Sequence, residues 1–156
     1  MIRTTVVVTG MLALLGFSAL ANAGTATTYS IASFQAKLFR TNSGTFSTSV
    51  LTNPPTTVQN HEFGGAEVDG MLLLVSIHGP TGDAPDGLEL RVTAISGADT
   101  LLDETTPIDS MNSAGNHYVA SWVDQDLCDP VRLSARLILG KPGPTVSGEI
   151  EFLCAE

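Results

Sequence analysis

Residues 88–94 read LELRVTA, and their spacing decides the fold class. Leu88, Leu90, Val92 and Ala94 fall on one side of the chain, and Glu89, Arg91 and Thr93 on the other. A period of two marks a strand with one buried face; a helix would space its apolar positions by three or four. The same alternation recurs on both sides of this stretch. Leu133, Ala135, Leu137 and Leu139 oppose Arg132, Ser134 and Arg136. Ile150, Phe152 and Cys154 oppose Glu149 and Glu151, and Phe34, Ala36 and Leu38 oppose Gln35 and Lys37. Residues 71–77, MLLLVSI, are almost continuously apolar, which fits a central strand covered on both faces.

Turn residues separate these runs: Asn42-Ser43-Gly44, Asn53-Pro54-Pro55, Gly79 to Gly87, Ser96-Gly97, Asn112 to Gly115 and Gly140 to Pro144. The resulting strands are 29–40, 45–52, 58–63, 70–78, 87–96, 100–105, 116–124, 131–139 and 147–154. Short strands broken by frequent turns predict an all-β domain, an antiparallel β-sandwich of about eight strands over residues 24–156. With one cysteine pair, the pattern resembles an immunoglobulin-like or C2-like sandwich. It departs from the antibody order in that Trp122 precedes both cysteines. A resemblance of architecture implies no activity.

The first 23 residues read differently. Arg3 precedes an apolar run from Val6 to Leu20, which ends in Ala21-Asn22-Ala23. A basic start, an apolar centre and a small-residue end form a secretory signal peptide, cleaved after Ala23. The run is short of the roughly 20 residues that cross a bilayer, and no basic stop-transfer cluster follows. The mature chain is therefore expected to be soluble, without a membrane span, and either secreted or periplasmic. The chain of 156 residues carries a net charge of −9, with 16 acidic and 7 basic residues. The signal holds one basic residue and no acidic one, so cleavage takes the charge to −10. So acidic a chain lacks the basic stripe that would neutralise phosphates, which excludes a nucleic-acid partner.

Cys128 and Cys154 flank the last two strands, almost symmetrically about the 140–145 turn. Positions symmetric about a hairpin turn meet, and an exported chain oxidises such a pair, so a disulfide is expected. The same centre would set Arg136 opposite Glu149.

Catalytic motifs are missing. His61-Glu62 opens like a zincin helix but has no second histidine, and no nucleophile elbow, P-loop or dinucleotide fingerprint occurs. His78, His117 and Asp83 could share one loop end, without ligand spacing to support a metal. Strand parity gathers Asp99, Asp124, Asp126 and Asp129 at the other end, with Asp69 and Glu156 near. Calcium takes six to eight oxygens, so this loop is a candidate calcium site, against a plain solvated acidic end. Tyr118 and Trp122 share one face of a strand with Ala120 between them. That face is either core, the usual place for Trp, or an exposed binding platform. No cofactor is called for otherwise.

These features together predict a non-enzymatic exported binding, adhesion or accessory module with a protein or glycan partner. The alternatives are a subunit of an extracellular fibre or envelope assembly that donates segment 24–33 by strand addition, and a calcium-binding module.

Overall fold

A computed structural model describes residues 28–60, 68–124 and 127–154. Eleven strands follow in chain order: β1 (Ser30–Arg40), β2 (Thr45–Phe46), β3 (Thr56–Asn60), β4 (Gly70–His78), β5 (Gly82–Asp83), β6 (Leu88–Ser96), β7 (Asp99–Pro107), β8 (Ser110–Met111), β9 (Asn116–Val123), β10 (Val131–Leu139) and β11 (Lys141–Cys154). The protein is all-β, with no helix among the described residues. None of these elements is a helix long and apolar enough to cross a membrane. The signal segment 1–23, residues 61–63 of the expected third strand, His61, Glu62, Asp126 and Glu156 lie outside the described residues.

Two larger sheets are formed, in the orders β2-β1-β4-β9 and β3-β11-β10-β6-β7, with β5-β8 a small third. All pairs are antiparallel except β3 with β11. One hydrophobic core draws on both larger sheets. Ala36, Leu38, Met71, Leu73, Val75, Ile77, Val119 and Val123 come from the first sheet. Leu88, Leu90, Val92, Leu133, Ala135, Ile150 and Phe152 come from the second. Leu88, Leu90, Val92 and Ala94 are all buried, whereas Arg91 is exposed and Glu89 and Thr93 half-buried, as the period of two requires.

Three expectations need correction. The strand expected over 45–52 pairs only at Thr45–Phe46. Beyond it the Ser47 and Val50 amides still donate to Leu38 and Ala36 carbonyls. In return the Leu38 and Ala36 amides donate to the Ser47 and Ser49 hydroxyls instead of to backbone. Serine side chains have displaced a regular ladder. The last strand starts at Lys141, not 147, because Gly140, at φ 64°, turns the chain at once. That tighter turn overturns the Arg136–Glu149 pairing: Glu149 faces Arg132, and the Arg136 Nε donates to Thr145 Oγ1 at 2.8 Å. Finally, the apolar run 71–77 is not equally buried on both sides. Met71, Leu73, Val75 and Ile77 are buried, while Leu72, Leu74 and Ser76 are half-buried on the outward face.

Candidate binding face

The outward face of β2-β1-β4-β9 follows from strand parity. Val119, Ser121 and Val123 point into the core, so Tyr118, Ala120 and Trp122 point out. Core was the first expectation for the Tyr118 and Trp122 face; it is instead a solvent face, with Tyr118 67% and Trp122 40% exposed. Register sets out its rows. Ser33, Ser76 and Tyr118 form one; Gln35, Leu74 and Ala120 the next; Lys37, Leu72 and Trp122 the third. Phe39 lies beside Gly70, and Phe46 is its partner on β2.

Trp122 lies against the sheet because Gly70 has no side chain. A Cβ on Gly70 would come within 2.2 Å of indole Cζ2 and 2.9 Å of Cε2, so the ring covers that backbone directly. Phe39 and Phe46 close around it, with ring centroids 6.1 and 6.3 Å from the indole and 5.1 Å from each other. Both meet the indole edge-on, an arrangement favoured by aromatic quadrupoles. The indole thus packs on the outward side of the sheet and stays partly open to solvent. Gly70→Val is expected to lift the ring off the sheet and cost about 1–3 kcal/mol, the range for overpacking. Acrylamide quenching of the only tryptophan in the chain would rise with it.

The opposite outer face, on β3-β11-β10-β6-β7, is polar. Thr93 and Ser134 share a hydrogen bond of 2.7 Å, and Arg91 pairs with Asp103 through two bonds of 2.6 and 2.7 Å. The Arg91 hydrogen bonds hold the Asp103 carboxyl below its ordinary value.

Cys128 and Cys154 stand at disulfide distance, with Sγ atoms 2.05 Å and Cα atoms 5.1 Å apart. Register carries Asp99, through Ser96 and Val131, to the end of the sheet where Asp129 lies; Asp124 leaves β9 there too. Asp69 is at that end and committed: its Oδ2 accepts the Thr41 amide at 2.6 Å. Among the described residues no three His, Cys, Asp or Glu side chains are placed to hold a metal ion, and Asp126 lies outside them. The two described histidines, His78 and His117, are separately engaged. His78 Nδ1 meets Asn116 Oδ1 at 3.1 Å, and His117 Nδ1 the Ser110 carbonyl at 2.8 Å. Asp83 and Asp86 belong to a turned segment in which the Ala84 amide donates to the Asp109 carbonyl and Leu88 to that of Pro85.

The hydrogen bond from Thr41 likewise lowers the Asp69 pKa from its usual 3.8. A carboxylate whose folded pKa is depressed stabilises above the unfolded value and loses that stability as pH falls through the folded one. Melting temperature is therefore expected to fall on acidification below about pH 4, and Asp69→Asn to flatten part of that decline. Thermal melts from neutral pH to pH 2 check it.

Phe39, Phe46 and Gly70 escaped the sequence reading. One signal was available: Phe39 continues the odd-numbered polar side of β1, after Gln35 and Lys37, and is itself aromatic. In comparisons with known proteins, the chain matches no family model and no curated protein.

Proposed function

We propose that this is an exported, non-enzymatic binding module whose partner, a protein or a glycan, docks on the outer face of β2-β1-β4-β9. Residues 24–156 would form one β-sandwich domain of the immunoglobulin-like or C2-like kind; two sheets around one core support that architecture. The observation that carries the function is the outward aromatic cluster. Trp122, Phe39 and Phe46 hold one another on a face whose other outward positions are small or uncharged, apart from Lys37 and His78. A sheet face of this kind, turned to solvent, is an interaction surface. Export is supported by the signal pattern in residues 1–23 and by a cysteine pair at disulfide distance.

Two measurements test the reading. Protein recovered outside the cytoplasm should begin at Gly24 on N-terminal sequencing and label no thiol before reduction. A protein beginning at Met1 with two labelled thiols would remove export. For the face, Trp122 fluorescence should become shielded from acrylamide on adding one member of a panel of soluble polysaccharides and extracellular proteins. Phe39→Ala with Phe46→Ala should weaken that binding at least tenfold. Binding that leaves Trp122 equally quenchable places the partner elsewhere.

A further inference from the structure

β9 ends the sheet order β2-β1-β4-β9, so one side of it has no neighbouring strand. The direction of its backbone groups follows from its first residues. The Gly79 amide donates to the Gly115 carbonyl at 2.9 Å, one step beyond the His78–Asn116 pair. Antiparallel bonding alternates, so His117, Val119, Ser121 and Val123 bond β4 and the even-numbered residues point the other way. Asn116 agrees: its carbonyl accepts the Asn112 amide at 2.9 Å, and its amide donates to Asn112 Oδ1 at 3.0 Å. The amides and carbonyls of Tyr118, Ala120 and Trp122 therefore point away from β4. All three residues are exposed, and among the described residues no strand or turn bond reaches that side of them.

An unpaired edge normally carries something that discourages pairing. β7, the edge of the other larger sheet and a neighbour of β9, carries Asp99, Asp103 and Glu104 and ends at Pro107. β2 is only two residues long. β9 has eight residues with no Asp, Glu, Lys, Arg, Gly or Pro among them. In a chain of net charge −9 it is a neutral line along which two copies can approach. Its free run is also symmetric, with one aromatic residue on each side of Ala120.

We infer that a second copy of this chain pairs with β9 edge to edge, antiparallel, about a two-fold axis at Ala120. Ala120 then bonds Ala120 of the second copy, Tyr118 bonds the second copy's Trp122, and every free group of the run is used. Directly opposite residues point to the same face. Each Tyr118 thus lies across from a tryptophan on the outward side, a favourable cross-strand pair. A centre at Val119 would instead set Trp122 against Asn116, which is already bonded to Asn112. A centre at Ser121 would set Tyr118 against Asp124, beyond the end of the strand. The pair closes on itself, joins two four-stranded sheets into one and leaves the outward face of β4 uncovered. One strand pair makes an interface smaller than the roughly 1,200 Å² of stable complexes, so the dimer is reversible, of about micromolar affinity or weaker.

Sedimentation velocity of the purified protein, from about 1 μM to 1 mM, tests this. The mass should rise from monomer to dimer and stop there. Association should strengthen with salt, which screens the repulsion between two acidic copies. Ala120→Lys sets like charges opposite each other on the axis and should weaken association at least tenfold, with circular dichroism showing the variant folded. A short bismaleimide should cross-link Ala120→Cys, whose thiols lie one strand spacing apart. It should not cross-link Tyr118→Cys, whose two positions are roughly 14 Å apart along the strand. A monomer at every concentration and salt overturns the pair, as do species larger than a dimer or an Ala120→Lys variant that still associates. Cross-linking of Tyr118→Cys without that of Ala120→Cys overturns the axis at Ala120.

Discussion

Replacing Cys128 and Cys154 together by serine is expected to lower stability by about 3–4 kcal/mol, the chain-entropy value for a loop of this length. The two residues are 26 apart in sequence, and their closure spans the whole β10–β11 hairpin. Most of the effect lies in the unfolded chain, which the crosslink keeps from expanding. Folded packing should change little: Leu127 beside Cys128 is buried on its own account, and Val131 and Ile150 remain paired across the hairpin. For a domain of this size the melting point should drop by about 10 °C. Urea unfolding separates the causes. A lower midpoint with a steeper dependence on urea points to a more expanded unfolded state. Trp122, on the other larger sheet and packed with Phe39 and Phe46, should keep its emission. A loss below about 1 kcal/mol would mean the unfolded chain already holds the hairpin closed.

Much of this architecture was legible because buried strands report themselves. The alternation in 88–94 and 132–139 needs no partner to be read, and β6 and β10 run over the residues it marks. Turns were less legible, since a turn's centre depends on one backbone angle. Gly140 at positive φ shifted the β10–β11 register and gave Glu149 to Arg132. Partners distant in sequence were not legible at all. Nothing local says that β3 crosses to the second sheet to run parallel to β11, or that Gly70 makes room for Trp122. The candidate site shows the same limit. Tyr118 and Trp122 could be placed on one face, but which face the core takes is a property of the whole sheet. The strand-addition alternative also meets a tertiary fact: Ser30 and Ile31 already pair with His78 and Ile77 of β4, so that part of the segment is occupied at home.

Which face of β4 is core can be measured with two neighbouring residues. Leu73→Ala is expected to cost about 2–5 kcal/mol and Leu74→Ala only about 1 kcal/mol. The two changes delete the same atoms from adjacent positions of one strand, so backbone and propensity effects largely cancel. What differs is the side. Leu73 is fully buried in the core shared by both larger sheets. Leu74 is half-buried on the outward face, in the row of Gln35 and Ala120. Removing Leu73 leaves a cavity that packed neighbours fill only in part; removing Leu74 leaves a surface dent that water enters. The ligand side should reverse the order. Leu74 lies in the row next to Trp122, so its loss should weaken binding on that face, whereas Leu73→Ala, while still folded, should bind nearly as well as the parent. Equal destabilisation by both would mean that the outward face of β4 is itself covered, by a second copy or another part of the chain. The open aromatic face would then be closed before any partner arrived. Denaturant melts of the two variants, read with the acrylamide quenching of Trp122, decide between these structures.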